Sequence, residues 1–333
     1  LRGALGVNAR DGDGGLAPPA AAGVACGAML GMVFAAGLGT RLRPLTDAVP
    51  KPAVPLLNRP LASYSLERLA ALGIARIAIN THHLGEVAMR ELSRHLPAGV
   101  DVTFVHEPAL LGTGGGLRNA WGRLGGEPIV VMNGDILFWP DLEGALALHR
   151  RLDAIATVVL RPDPRARELG ALEIDGEGRV RRLLGAPDFG GPLRELMFTG
   201  VHVLSPRAFA DLPERGCIIR TSYRRWVDEG EVVGGFVDES PFRDLGTPAE
   251  YLRANLDLLR GALRWPGVAP RGVLVHESAR VGEGARLSEV VVGEGARIEA
   301  GVSLERVVVW PGTHVAGDAR DAVLALHARV DVR

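Results

Sequence analysis

Short apolar runs alternate with amphipathic stretches along most of the chain. Apolar Met32–Ala36 predicts a strand, and Pro60–Leu72 has leucines at near-helical spacing, which predicts a helix. The same alternation continues downstream, with strands predicted around Ile77 and Ile79 and at Val102–Val105, Ile129–Met132, Ile155–Leu160, Ala171–Ile174, Val180–Leu184 and Met197–Leu204, and helices at Leu84–Leu96, Leu117–Leu124 and Pro248–Arg260. Strands separated by helices of this length need crossover connections, so we expect an α/β fold with a mostly parallel mixed sheet flanked by helices.

The pattern changes after Leu263. Residues 262–272 hold Pro266, Pro270 and several glycines, and we interpret them as a linker. Beyond the linker an apolar residue recurs about every six positions, at Val275, Val281, Leu287, Val292, Ile298, Leu304, Val309 and Val315. A hairpin would not hold this period over about 40 residues, whereas it is typical of a parallel β-helix. We therefore predict a first domain over 29–261 and a short left-handed parallel β-helix over 273–333.

Residues 1–28 are rich in glycine, alanine and proline and carry Asp11 and Asp13. The apolar stretch Ala20–Ala36 lacks the basic region that precedes the core of a signal peptide. We expect a disordered extension over 1–28, with Met29 or Met32 as the native start. No other run of about 18 apolar residues is present, so no membrane span is expected.

Composition and charge exclude several classes of protein. Hydrophobic residues make up 47% of the 333 positions and charged residues 23%, which excludes disorder as the main state. The net charge of -1 provides no basic field for nucleic acid or an anionic membrane. Cys26 and Cys217 form neither a disulfide framework nor a C-x-x-C motif, so we expect a reducing, cytoplasmic location.

Lys51 is the single lysine among 38 basic residues. The composition favours arginine wherever arginine will serve, so a retained lysine indicates a site that needs a compact point charge beside an anion. The alternative explanation is that this single lysine is present by chance.

The strongest motif runs from Gly37 to Thr46 and continues into Pro50-Lys51-Pro52. It is neither a G-x-G-x-x-G fingerprint nor a Walker A loop. Glycines after a strand nevertheless let backbone N–H groups converge on an anion, and Arg41 adds a guanidinium fork that suits phosphate oxygens. The motif therefore predicts a phosphate-binding loop, against the alternative of a glycine turn with surface cations.

The stretch Gly37–Leu56, GLGTRLRPLTDAVPKPAVPL, resembles the signature of the sugar-1-phosphate nucleotidyltransferases. The resemblance extends from Met32 to about Leu259, and the hexapeptide tail is similar to that of two-domain members such as mannose-1-phosphate guanylyltransferases. It implies a Rossmann-like domain that transfers a nucleotidyl group from a nucleoside triphosphate to a sugar 1-phosphate, and the charge balance above leaves no nucleic-acid or membrane partner expected. A homo-oligomer formed through the β-helix stays open.

Two aspartates are the candidate metal ligands. Asp135 follows the strand Ile129–Met132, and Asp244 precedes Leu245-Gly246-Thr247-Pro248 at the start of a helix. A strand-end turn and a helix N-cap region explain these positions equally well from the residues alone. The resemblance implies that both carboxylates hold Mg²⁺, which takes one or two carboxylates together with phosphate oxygens.

The resemblance also implies the roles of other residues. Arg41 and Lys51 are implied as catalytic, with Arg41 on the leaving pyrophosphate and Lys51 on the transferred phosphate. The implied nucleotide-binding residues are Ala36, Gly37, Gly39, Thr40, Asn80, Gly112 and Thr113, the last two in the loop Leu111–Gly116 ahead of a helix. Gly170, Thr199 and Gly200 are implied in the sugar-phosphate pocket. A structural role is the alternative for Asn80, for the glycine loop and for Thr199-Gly200.

The chain departs from the family pattern at Gly185-Ala186-Pro187, where many members have Glu-Lys-Pro. The residue that replaces this lysine is open, with Arg194 and Glu195 as candidates. The departure leaves sugar and base undecided: mannose-1-phosphate guanylyltransferase is favoured, and N-acetylmuramate-1-phosphate uridylyltransferase and glucose-1-phosphate uridylyl- or thymidylyltransferase are the alternatives. A regulatory subunit that binds a nucleotide sugar would not need Arg41, Lys51 and both aspartates, and a hexapeptide acyltransferase would need a longer β-helix.

Overall fold

The computed structural model describes residues 29–169 and 171–332. The predicted disordered extension, residues 1–28, and the predicted sugar-pocket residue Gly170 lie outside the described residues.

The helices and strands are numbered in chain order. The helices are α1 Leu61–Ala71, α2 Gly85–Ser93, α3 Gly112–Leu124, α4 Leu142–Arg151, α5 Ala166–Leu169, α6 Arg224–Glu229 and α7 Pro248–Arg260. The strands before α7 are β1 Leu30–Phe34, β2 Pro55–Leu56, β3 Arg59–Pro60, β4 Arg76–Thr81, β5 Asp101–His106, β6 Ile129–Asn133, β7 Ile136–Phe138, β8 Ala156–Arg161, β9 Leu172–Ile174, β10 Val180–Leu183, β11 Arg194–Leu204, β12 Val233–Val237 and β13 Phe242–Asp244. Those after α7 are β14 Val273–Val275, β15 Arg280–Val281, β16 Arg286–Val292, β17 Arg297–Ile298, β18 Ser303–Val309, β19 His314–Val315, β20 Ala319–Ala325 and β21 Ala328–Asp331.

The main sheet has the strand order β10-β9-β11-β6-β1-β4-β5, with β8 paired to β11 and β12 paired to β8. Strands β6, β1, β4 and β5 are parallel, whereas β11 runs antiparallel to β6, β8 and β9. The predicted mixed, Rossmann-like sheet is therefore confirmed. The chain leaves β1 toward β4 on one side and returns to β6 on the other, so the carboxyl end of β1 is a topological switch point, where open α/β sheets bind ligands.

Both faces of this sheet are covered by helices. On one face Met32 of β1 belongs to a buried cluster with Leu117 and Trp121 of α3. The next residue, Val33, points to the other face and belongs to a cluster with Leu66 of α1. Apolar residues on both faces of β1 explain why its sequence is continuously apolar rather than alternating.

The C-terminal part is a stack of parallel strands, with β14, β16, β18 and β20 on one side and β15, β17 and β19 on another. Paired residues are 17 positions apart from β14 to β19, as in Val273 with Val290 and Arg280 with Arg297, and 15 apart between β18 and β20, as in Leu304 with Ala319. This arrangement is β-helix-like, in agreement with the predicted fold class. The predicted interior positions are buried from Val292 onward, whereas Val275 and Val281 are exposed, since within residues 29–169 and 171–332 no further coil lies over the first one.

A third apolar cluster joins the two parts of the chain. It contains Leu42 and Leu45 from the loop after β1, Leu252 from α7, and Val308 and Trp310 from the β-helix-like part. Helix α7 lies between them, and its Tyr251 hydroxyl accepts a hydrogen bond of 3.0 Å from Trp310 Nε1. Within the described residues, no helix combines the length and apolar character needed to cross a membrane.

Candidate active site

A pocket of about 290 Å³ opens at the carboxyl ends of β1, β4 and β6, which is the switch point of the sheet. The structure brings seven of the predicted site residues into its lining: Ala36, Gly37, Lys51, Asn80, Gly112, Thr113 and Asp135. Gly39, Thr40 and Arg41 follow on the loop after β1, outside this lining. The loop after β1 and the glycine-rich loop Leu111–Gly116, here called the nucleoside loop, are far apart in sequence, yet both contribute residues to one cavity.

The loop after β1 runs through three short 3₁₀ turns, Thr40–Leu42, Leu45–Asp47 and Lys51–Ala53. Gly39 has a φ of 63°, and a Cβ added there would lie 3.1 Å from Lys51 Cβ. A glycine is needed at this position both for the left-handed backbone and for the close approach of the Lys51 segment. At Gly37 an added Cβ would meet nothing within 4 Å, so the backbone is open to an approaching phosphate.

Lys51 is the centre of the charged groups in the site. Its side chain is 8% exposed, and Nζ lies 2.8 Å from Asp135 Oδ2 and 3.8 Å from Asp244 Oδ1. Arg41 is 67% exposed and lies 3.6 Å from Asp244 Oδ2. A Cβ at Gly246 would lie 2.7 Å from Arg41 Nη1, so that glycine lets the guanidinium rest against the backbone. Two cations and two carboxylates give this cluster no net formal charge.

A two-stranded sheet brings the two aspartates together. Strand β7 follows Asp135 and pairs antiparallel with β13, so that Asp244 lies opposite Ile136. The Leu245 N–H donates to the Asp135 carbonyl at 3.4 Å. Thr247 then caps α7 by accepting a hydrogen bond from the Glu250 N–H at 3.3 Å. Asp135 lies at a strand end and Asp244 just before a helix N-cap, as the two structural alternatives expected. The two carboxylates nevertheless lie in one site.

The donor set fits a magnesium ion. The Asp135 and Asp244 side chains are 38% and 48% exposed, and both reach within 4 Å of the same ammonium nitrogen. Carboxylate oxygens are the ligands that Mg²⁺ prefers. In residues 29–169 and 171–332 no group of three or more His, Cys, Asp or Glu side chains could hold a metal. The protein would therefore supply two ligands, and phosphate oxygens and water would supply the remainder.

Asn80 lies in the pocket wall, but its amide is already engaged. The residue is 3% exposed; Oδ1 accepts from the Ala35 N–H at 2.8 Å and Nδ2 donates to Glu107 Oε1 at 2.7 Å. Glu107 is fully buried, and its Oε2 accepts from the Leu111 N–H at 3.0 Å. Sequence reasoning did not single out Glu107, although an acidic residue just after the predicted strand Val102–Val105 lies at the same sheet edge as Asn80.

The glycine-rich nucleoside loop lies mostly inside α3, which begins at Gly112 and not at Leu117 as predicted. The Gly114 N–H donates to the Gly216 carbonyl at 2.8 Å, and a Cβ at Gly112 would lie 2.7 Å from the same oxygen. Thr113 Oγ1 accepts from the Ile218 N–H at 3.0 Å. Close packing of the segment 213–218 therefore requires these glycines. The nucleoside contacts of Gly112 and Thr113 stay predictions, supported by their place in the pocket lining.

The predicted sugar-phosphate residues lie on β11. Thr199 is 2% exposed, and its hydroxyl donates to the Val159 carbonyl at 2.8 Å. Gly200 has a φ of 82° and lies against the Asn133 side chain, which lines the pocket and which sequence reasoning did not assign. The sequence signal for Asn133 was its position at the end of a predicted strand. The roles of Thr199 and Gly200 stay predictions.

Both candidates for replacing the missing lysine take part in ion pairs. Arg194 lies 3.3 Å from Glu239, and Glu195 lies 2.8 Å from Arg167. Neither contact reaches the Lys51 cluster, so the replacement stays open.

Comparisons with known proteins show the family of this chain. The nucleotidyl transferase family matches residues 30–261. The mannose-1-phosphate guanylyltransferase of Mycobacterium tuberculosis is 34% identical over 265 residues, which cover 77% of this chain and 72% of that protein. The UTP–glucose-1-phosphate uridylyltransferase of Synechocystis sp. is 30% identical over 198 residues, which cover 56% of this chain and 51% of that protein.

A solved structure shares the fold. The crystal structure of HddC from Yersinia pseudotuberculosis complexed with GMP-PN has a TM-score of 0.55 and 25% sequence identity to this chain. The match covers 68% of this chain and 97% of that one.

Proposed function

Since the chain belongs to the nucleotidyl transferase family and is a sugar-phosphate nucleotidyltransferase, we propose that it transfers a guanylyl group from GTP to mannose 1-phosphate, releasing pyrophosphate. The observation that carries the proposal is the buried Lys51 ammonium within 4 Å of two carboxylates at the pocket. The guanylyltransferase relative supports the choice of substrates. A cytoplasmic location is part of the proposal, because neither cysteine belongs to a disulfide framework.

The reaction needs no protein nucleophile, because the sugar phosphate is already anionic. One of its oxygens attacks the α-phosphorus of GTP, and the new P–O bond forms as the bond to the bridging oxygen of the leaving pyrophosphate breaks. Lys51 holds the transferred phosphate, and Arg41 binds the pyrophosphate. Catalysis then consists of positioning and charge stabilisation, for which a buried ammonium with a fixed location is suited.

Asp135 and Asp244 would hold Mg²⁺ in this proposal. The ion would supply charge neutralisation of the phosphate oxygens. The two carboxylates are fixed by the β7–β13 pairing before any ligand arrives, so their separation does not have to be created on binding.

The test is a substrate screen on the full-length protein. Five nucleoside triphosphates are combined with a panel of sugar 1-phosphates, and the nucleotide sugar and pyrophosphate are measured by mass spectrometry and a coupled assay. We expect GTP with mannose 1-phosphate to have the highest kcat/KM. A higher value for UTP with glucose 1-phosphate would favour the second candidate, which the Synechocystis relative suggests. Binding of GDP-mannose without turnover of any pair would overturn the catalytic proposal in favour of a regulatory role.

A further inference from the structure

Glu107 lies between the two loops that form the nucleotide pocket. It is one of the residues around the cavity, but its own surface is fully buried. We propose that Glu107 is a positioning residue that fixes the nucleoside loop Leu111–Gly116 relative to the loop after β1, which begins at Ala35 and carries the phosphate-binding motif. It does so through a hydrogen-bond relay with Asn80. The inference rests on the proposed function only in that it assigns this pocket to a nucleoside triphosphate.

The relay consists of three hydrogen bonds, and in each of them the donor and the acceptor are fixed. The Ala35 N–H donates to Asn80 Oδ1 at 2.8 Å, Asn80 Nδ2 donates to Glu107 Oε1 at 2.7 Å, and the Leu111 N–H donates to Glu107 Oε2 at 3.0 Å. Both ends are backbone N–H groups, which can only donate. Asn80 must therefore turn its amide NH₂ toward Glu107, and Glu107 must accept on both oxygens. Only a carboxylate at position 107 completes the relay while position 80 is an asparagine.

The surroundings leave the relay no room to rearrange. Glu107 is 0% exposed and Asn80 is 3% exposed. A Cβ at Gly116 would lie 2.7 Å from Glu107 Oε1 and 2.9 Å from Asn80 Nδ2, so the helix backbone of α3 is packed directly against these groups. Both hydrogen bonds to the carboxylate come from neutral donors. Loss of either one would leave a polar group unpaired in a site that water does not reach, which is far more costly than losing an exposed bond.

Glu107→Gln tests this assignment of donors and acceptors, because glutamine has nearly the same shape as glutamate. Its amide offers one oxygen and one NH₂, so either the Leu111 N–H or the Asn80 NH₂ meets a second donor. We expect the unpaired donor to displace the Leu111 segment from position 107. A bound nucleotide requires the loop in place, because Gly112 and Thr113 line the pocket. The cost should therefore appear in nucleotide binding.

The reciprocal double variant Asn80→Asp/Glu107→Gln restores every bond. The carboxylate introduced at position 80 would accept from the Ala35 N–H with one oxygen and from the new amide NH₂ at position 107 with the other. The amide oxygen at position 107 would then accept from the Leu111 N–H. The formal charge of the pair is unchanged. If Glu107 only filled space, the double variant would not restore nucleotide binding.

The experiment compares the full-length wild type with Glu107→Gln, Asn80→Asp, the double variant and Glu231→Gln, an exposed control. Binding of GTP with Mg²⁺ is measured by calorimetry, KM and kcat by pyrophosphate release, and exchange of the Leu111 amide by hydrogen–deuterium exchange. We expect Glu107→Gln to raise Kd and KM roughly 5- to 150-fold, the range that corresponds to one unpaired buried donor, with a smaller change in kcat. Exchange at Leu111 should become faster. The double variant should recover most of each loss, and Glu231→Gln should match the wild type.

Two results would overturn the inference: a double variant no better than Glu107→Gln, or a Glu107→Gln protein with a lower Tm but unchanged Kd and KM. If Glu107→Gln fails to fold, Gly116→Ala replaces it, because the added methyl group presses on the same carboxylate without altering any donor. An unchanged KM in Gly116→Ala would then contradict the relay. Failure of the proposed function is distinguishable, since a wild type that is inactive with GTP and mannose 1-phosphate still reports the relay through the Leu111 amide and through binding of UTP as a second probe.

Discussion

Lys51→Arg is the most informative single substitution, because it keeps the charge and changes only its shape. The lysine side chain is 8% exposed, and Gly39 approaches its Cβ so closely that an added methyl group would lie 3.1 Å away. Arginine places a planar guanidinium with two more heavy atoms in this space. In the wild type Nζ donates to Asp135 at 2.8 Å and lies 3.8 Å from Asp244, and a planar guanidinium cannot reproduce both contacts from the same position.

Two costs follow, and they fall on different measurements. Adding atoms to a packed site costs about 1–3 kcal/mol, which should lower the Tm. Misplacing one charge-stabilising donor should lower kcat by about 10²–10³-fold, since the contact with the transferred phosphate strengthens in the transition state. Binding of GTP should weaken less, because in the proposed mechanism Arg41 and the loop amides would still hold the triphosphate.

The assay is pyrophosphate release at saturating substrates, with thermal unfolding measured in parallel. Lys51→Met separates the two costs, because it removes the charge without adding bulk and should lose turnover with little loss of Tm. Arg90→Lys is the matched control: Arg90 is 65% exposed on α2, and this reverse exchange should leave kcat unchanged. Wild-type turnover in Lys51→Arg would refute the argument and reduce the single lysine to an accident of composition.

EDTA should abolish turnover, and Asp135→Ala and Asp244→Ala should each lower kcat by at least about 10²-fold; an active Asp244→Ala enzyme would remove that residue from the metal site. Trp310→Ala should lower the free energy of unfolding by about 3–5 kcal/mol in denaturant titrations, because this 3% exposed ring packs between the two parts of the chain, whereas Leu326→Ala, 74% exposed, should be neutral. Burial lowers the pKa of His149 to about 4 and that of His202 to about 3, so both stay neutral when folded while the unfolded chain takes up protons below about pH 6.5. Stability should thus fall as pH decreases from about 6.5 to 4, by about 2 kcal/mol per histidine at pH 5, and His149→Asn should show a weaker pH dependence of the unfolding midpoint.

The residues with charge at the site could be predicted from sequence because each lies in a short local pattern. Lys51 is fixed by its two prolines, Asp135 by the strand before it, and Asp244 by the glycine and helix cap after it. Each pattern is complete within about six residues, but the metal role of the two aspartates is implied by the resemblance and stays a prediction. The alternation of strands and helices likewise depends on local periodicity, which is why the main sheet could be anticipated.

The positioning of these residues could not be predicted, because it depends on contacts between distant segments. The start of α3 at Gly112 depends on close packing by residues 213–218, and the role of Glu107 depends on a backbone N–H at Leu111 and an amide at Asn80. Helix α4 is absent from the sequence interpretation although Leu142, Ala145 and Leu146 recur at helical spacing. The nearby Pro140 and the early Gly144 weaken that pattern, and Asp141 compensates by accepting a hydrogen bond from the Gly144 N–H.

Helix α7 links the candidate site to the β-helix-like part. Helix α7 begins at Pro248, four residues after Asp244, and its far side packs on β16, β18 and β20. Tyr251 donates to the Pro55 carbonyl near the phosphate loop and accepts from Trp310 Nε1 on the opposite side. His327 of the β20–β21 turn lies 3.1 Å from the Leu45 carbonyl. One helix thus connects the carboxylate, the loop that carries Lys51 and the C-terminal stack. Because packed elements of this kind shift together, a substitution at the junction of the two parts, such as Trp310→Ala, should also change the alignment of Asp244 with Lys51.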